Sequence, residues 1–139
     1  MNIDPMEAII KWLTNKLTIV GGRVAGKHRY GAGWTDAQTG VSVHWDGGAV
    51  DLYAEVAIPR LELRIYAGID GDQVTVTDVY RDLTRLSREN ERFAVETSKG
   101  NALVHYFKPE TSLSVLYDDI LNMDFGMVFF ETMVSEIAV

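Results

Sequence analysis

The chain reads as an α+β fold, a mostly antiparallel sheet of four to six strands with two helices packed on one face. Three observations predict it. Two segments repeat apolar residues every 3.6 positions behind recognisable helix starts. Several others alternate apolar and polar residues at a period of two. Their order along the chain is helix, strands, helix, strands. At 139 residues with 47% hydrophobic composition, the whole length suits a single domain, 1–139, with one core.

The first helix opens at Asp4-Pro5-Met6-Glu7, with Asp at the N-cap, Pro at the first helical position and Glu behind it. Met6, Ile9, Ile10, Leu13 and Leu17 then form one apolar stripe, so a helix over Asp4–Leu17 is expected. Gly21-Gly22 ends it, and a loop rich in glycine and aromatics runs from Arg29 to Gly40. Val41, Val43 and Trp45 alternate with Ser42, His44 and Asp46 as a half-buried strand, and Asp46-Gly47-Gly48 reads as a turn. Residues 49–57 read as an extended arm or strand ending before Pro59. Leu61, Leu63, Ile65 and Ala67 make the clearest strand of the chain.

After a loop from Gly68 to Gln73, Thr75-Val76-Thr77-Asp78 opens a second helix, expected over Thr75–Ser87, with Val76, Val79, Tyr80, Leu83 and Leu86 on one face. Phe93 and Val95, then Ala102, Val104 and Tyr106, flank Ser98-Lys99-Gly100-Asn101 as a hairpin. Lys108-Pro109-Glu110 interrupts the pattern, and Leu113–Tyr117 is a further short strand. The last segment, Phe125–Val134, is long and apolar. Its neighbours Phe129 and Phe130 must point to opposite faces of a strand, so it is either central in the sheet or pressed on another subunit, with core the default.

Charge and composition narrow the function. Thirteen basic against twenty acidic residues give a net charge of −7, which disfavours stable binding to nucleic-acid phosphates. The richest basic stretch, Arg23 to Arg29, holds three full positive charges. No apolar run approaches the roughly 18 residues that span a bilayer, and Met1-Asn2-Ile3-Asp4-Pro5 lacks the basic region of a secretion signal. With no cysteine there is neither a disulfide framework nor a zinc–thiolate site.

Gly21 to Lys27 spells G-x-x-x-x-G-K, a phosphate-binding loop short of its last residue. His28 stands where the motif needs a hydroxyl for Mg²⁺. The helix lies before the loop rather than after it, so a glycine turn is the better reading. His28, His44 and His105 share no ligand spacing. Asp70-Gly71-Asp72 fails as a calcium loop at Val74 and Thr75, and Asp118, Asp119 and Asp124 read as a solvated turn. No catalytic, cofactor-binding or metal-binding residue is therefore expected, and no cofactor. A small nucleic-acid-binding module built on Arg23, Lys27 and Arg29 beside Tyr30 and Trp34 is the alternative of another class.

The layout resembles the tail-terminator (tail-completion) proteins of long-tailed bacteriophages. The points of likeness are a short amphipathic helix ending near Gly22-Arg23-Val24, the strand Leu61-Glu62-Leu63-Arg64-Ile65-Tyr66-Ala67, the helix Val76 to Leu86, and the closing strand Met127 to Glu136. It covers nearly the whole chain but rests on order and spacing, with no catalytic signature. Thr39-Gly40 stands where the family usually has a proline, and Asp124-Phe125-Gly126 replaces a Trp-Pro, so a neighbouring neck or head-closure component is the alternative within the same class. The resemblance implies a structural virion protein without enzymatic activity, at the head-proximal end of the tail and assembled in the host cytoplasm. It implies a ring of copies, typically a hexamer, that caps the tail tube and meets the head connector. DNA would cross the lumen without specific binding, and no membrane is involved. An acidic chain suits such a lumen. Tyr30 with Trp34, and Leu52 with Tyr53, are the expected aromatic anchors of the subunit contact. The loops Arg29–Gly40 and Ala49–Ile58 are expected to be docking arms.

Overall fold

A computed structural model describes residues 2–26, 34–51, 56–89 and 92–137. Helix α1 (Pro5–Lys16) begins where the sequence places it, because the Asp4 carboxylate accepts from the Met6 amide and Pro5 needs no donor at that position. A single 3-10 turn, Thr18–Val20, leads to strand β1 (Val24–Ala25). Strands β2 (Gly40–Asp51) and β3 (Val56–Tyr66) follow, then helix α2 (Gln73–Arg88), β4 (Phe93–Thr97), β5 (Gly100–Pro109), β6 (Ser114–Asp118) and β7 (Met123–Glu136).

The seven strands form one sheet in the order β1-β2-β3-β7-β5-β4, with β6 paired to β7. Six strands are long enough to read from sequence. The seventh, β1, is two residues long and makes the one parallel pairing among the described residues, Val24 with Val41 and Ala25 with Ser42. The rest are antiparallel. β7 is central: Phe125 to Ser135 pair with β3 on one edge. On the other edge β6 takes Met123 to Met127 and β5 takes Phe130 to Glu136.

Two expectations fail in the β2–β3 region, for one reason. Asp46-Gly47-Gly48 is not a turn, since β2 runs straight through it with a register shift between Trp45 and Gly48. Gly48 has a φ of 107°, and a Cβ there would overlap the Ile58 carbonyl oxygen, so the bulge needs glycine. β3 likewise runs through Pro59, which lies opposite the bulge at Gly48. A proline cannot donate to a ladder and is tolerated at such an irregularity. The expected arm at Ala49–Ile58 is thus largely two paired strands, with Ala49, Val50 and Asp51 facing Ile58, Ala57 and Val56. Residues 52–55 between them lie outside the described residues.

Helix α2 starts two residues before the expected Thr75. Asp72 caps it, accepting from the Val74 and Thr75 amides, while the Thr75 hydroxyl accepts from the Asp72 amide. Both helices pack on the same face of the sheet. Ile9, Trp12 and Leu13 of α1 and Val76, Val79 and Leu83 of α2 share one buried cluster with Val43, Leu61, Leu63, Ile65, Val104, Phe107, Val128, Phe130 and Val134. At its centre the Phe107 and Phe130 rings stack at 4.2 Å, and Trp12 meets Phe107 edge-on at 5.2 Å.

Candidate interaction surfaces

The strands that bury one row of side chains under the helices present the alternate row on the second face. On β7 that row includes Met127, Phe129, Glu131, Met133 and Ser135, all partly exposed. On β3 it includes Ile58, Arg60, Glu62 and Arg64. Charges are interleaved and paired within the face. Arg60 donates to Asp46 at 2.6 Å and to Glu110 at 3.1 Å while its guanidinium covers the Phe129 ring. Lys108 lies 3.9 Å from Glu131, and Arg64 3.7 Å from Glu62. The Tyr106 hydroxyl donates to Glu131 at 2.7 Å. Partial burial and then this carboxylate push its pKa up to about 12. Burial, followed by the charge of Arg92, lowers the pKa of His105, whose Nε2 lies 2.6 Å from Ser135 Oγ.

One end of this face is covered. Trp34, only 7% exposed, packs with Tyr66 and Met123, and its indole meets the Tyr66 ring at 6.0 Å. Its Nε1 donates to the Gln38 carbonyl. Trp34, expected as an interface anchor, is packed within the chain's own fold. Tyr30, Leu52 and Tyr53 lie outside the described residues. The basic cluster beside Trp34 is also less available than its sequence suggests. Arg23 Nε donates to the Thr39 carbonyl at 2.7 Å, and Lys27 and Arg29 lie outside the described residues.

The β6–β7 hairpin is the surface that sequence reasoning missed. All but the last residue of β6 is exposed, on both faces, although Val115, Leu116 and Tyr117 are apolar. The four-residue connection after it is well built. The Asp118 carboxylate accepts from the Ile120 and Leu121 amides, the Asn122 amide donates to the Asp118 carbonyl, and Tyr117 hydrogen-bonds to Asn122. That turn holds Ile120 out at 94% exposure.

A groove of about 460 Å³ runs between α1 and β4, lined by Lys11, Trp12, Asn15, Lys16, Phe93 and Glu96 among others. Lys11 donates to the Glu96 carbonyl, and Lys16 sits 3.9 Å above the Phe93 ring. Trp12 Nε1 is buried without a hydrogen-bond partner. One turn before Lys11 on the same helix face, and 3.8 Å from it, Glu7 accepts from the Ser98 amide and hydroxyl, which lower its pKa and tie the helix to the β4–β5 turn.

Gly21 to Gly26 leads from the 3-10 turn into β1, so a strand-to-helix phosphate loop does not form there, while Lys27 and His28 lie outside the described residues. Among the described residues no group of three or more His, Cys, Asp or Glu could hold a metal ion. Asp72 and Asp118 are instead spent on the helix cap and the hairpin turn. No helix among them is long and apolar enough to cross a membrane. Fold and surfaces together define an α+β protein with exposed apolar residues on the β6–β7 hairpin. Compared with known protein families and with curated proteins, the chain matches none.

Proposed function

We propose that the chain is a structural virion protein of a long-tailed bacteriophage, a tail terminator. It acts as a ring, typically of six copies, that caps the tail tube and joins it to the head connector, and it carries out no enzymatic step. The observation that carries this reading is the apolar surface left by the fold, on the β6–β7 hairpin and on the second face of β3 and β7. A rigid turn that holds an isoleucine in water is hard to account for by the stability of one copy, and suits a chain made to be covered by others. The resemblance in element order supplies the identity of that assembly.

Electrostatics support the same reading. A lumen for DNA should not retain phosphates, and a chain of net charge −7 whose sheet face pairs its own cations with carboxylates has little basic surface to hold them. The partners are other copies, the tail tube protein and the head connector, with DNA passing through unbound and no membrane contact. The test is omission. In an infection lacking this chain, tails are expected to overgrow or to remain without heads. Tails of regulated length that still attach to heads would overturn the reading. Tails of regulated length that lack heads would favour a neck or head-closure component instead.

A further inference from the structure

We propose that β6 is a docking edge for a second copy of the chain, the two β6 strands pairing antiparallel about a twofold axis at Leu116. Among the described residues β6 pairs with β7 alone, and β4, on the same side of the sheet, covers β5 only between Gly100 and Val104. The outer edge of β6 is therefore open. The Asn122 amide donates to the Asp118 carbonyl, so Asp118, Leu116 and Ser114 turn their backbone groups to β7. The Asp124 carbonyl turns the other way, to the Ala67 amide just beyond β3. Tyr117 opposite it, and Val115 with it, thus direct their N–H and C=O groups outward. Open edges are commonly guarded by lysine, proline or a covering element. Ser114–Asp118 contains no Lys or Pro, and its apolar residues are exposed.

A second β6 fits this edge because the strand complements itself. With Leu116 opposite Leu116, Val115 of each copy faces Tyr117 of the other. These are the residues whose backbone groups point outward, so every outward group finds a partner. A β-branched residue opposite an aromatic is also a favourable cross-strand pair. Within its own copy Val115 faces Gly126, which has no side chain to cover it. Leu116 lies beside the partly exposed Phe125, so the two leucines would join two apolar rows into one. Charge selects the direction. Residues 109–139 carry Glu110, Asp118, Asp119, Asp124, Glu131 and Glu136 and no Lys, Arg or His. A parallel alignment would bring the acidic turns of the two copies together, whereas the antiparallel one separates them and sets each Asp118 opposite a Ser114. The contact is isologous and closes on two copies. It goes beyond the ring reading, covering the open edge in the free chain, and does not supply the ring's head-to-tail contacts.

The outward amides report the contact. At about 1 mM chain, where even a contact of millimolar affinity is substantially occupied, the Val115 and Tyr117 amides should exchange with solvent several-fold more slowly than in dilute protein. Sedimentation should show the mass rising toward two copies and no further. Val115→Pro removes one outward donor and leaves the β6–β7 ladder intact, so it should abolish pairing while the chain stays folded. Cross-linking decides even if that variant does not fold. The chain has no cysteine, and Leu116→Cys sets two sulfurs across the axis on Cα atoms about 4.5 Å apart, within disulfide range. It should oxidise to a covalent dimer several-fold faster than Ile120→Cys, which is 94% exposed but lies off the axis. Amide exchange that is the same at both concentrations, a mass that climbs past two copies, or Ile120→Cys linking as fast as Leu116→Cys would overturn the proposal. These readouts use pure protein, so their failure leaves the tail reading standing, and normal tails on omission would leave the dimer standing.

Discussion

Phe129 and Phe130 are neighbours on one strand and live in different environments. Phe130 is fully buried, stacked on Phe107 beneath both helices. Phe129, on the other face, is partly exposed and shielded mainly by the Arg60 guanidinium. The same division separates two short edge strands. β4 buries Val95 and Thr97 under α1, while β6, with as many apolar residues, buries none of them. Burial in this fold follows from where the helices lie, and hydropathy alone does not predict it. The apolar residues on the uncovered side then need a reason outside the folding of one copy, and subunit contact is the reason proposed here.

The largest expected effect separates the two phenylalanines. Phe130→Ala should destabilise the protein by about 3–5 kcal/mol, the range for a buried aromatic. Phe129→Ala should cost only about 1 kcal/mol, from partial burial and one exposed cation–π contact. Chemical denaturation of both variants measures the difference, and equal losses would mean that the second face is as much a core as the first.

Two valines, one on each edge strand, divide in the same way. Val95→Ala, beneath α1, should lose about 1–2 kcal/mol, whereas Val115→Ala on β6 should stay within about 0.5 kcal/mol of the parent. If the contact with a second copy is correct, Leu116→Ser should leave folding stability nearly unchanged and still reduce self-association, which sedimentation at rising concentration reads.

The smallest effect is a titration. Tyr106 on the second face has a folded pKa of about 12, above its usual value of 10. The folded state then holds its proton where the unfolded state has lost it. Stability from this group is complete below about pH 10 and declines as pH rises toward 12. Tyr106→Phe should flatten that part of the pH–stability profile, and an unchanged profile would remove the Tyr106–Glu131 hydrogen bond from the account.

Much of the fold was legible because local signals agreed with tertiary structure. Asp4-Pro5 marks the start of α1, Ser98-Lys99 turns the β4–β5 hairpin, and the alternation through Leu61, Leu63 and Ile65 gives β3. The errors have physical causes. Glycines at 47 and 48 serve a bulge as readily as a turn, and both choices look alike in sequence. Pro59 is accommodated by a partner strand that local pattern does not reveal. Asp72 lies outside the apolar period of α2, so local pattern places the helix start at the next capable residue. Trp12 was missed because α1 packs over a wider face than one stripe, touching Phe93 and Phe107. Of the surface, less was readable. Trp34 resembles an exposed anchor in a glycine-rich loop until Tyr66, far along the chain, is brought against it. β6 resembles a buried strand, and its exposure on both faces is set by its place in the sheet, which local pattern does not carry.

The proposed place of the chain in the virion can be observed directly. A small epitope tag on the N-terminus, followed by gold labelling and electron microscopy of assembled particles, is expected to mark the junction of head and tail on each particle. Label at the distal tip or along the tube, or intact particles from which the tagged chain is absent, would contradict a terminator at the head-proximal end of the tail.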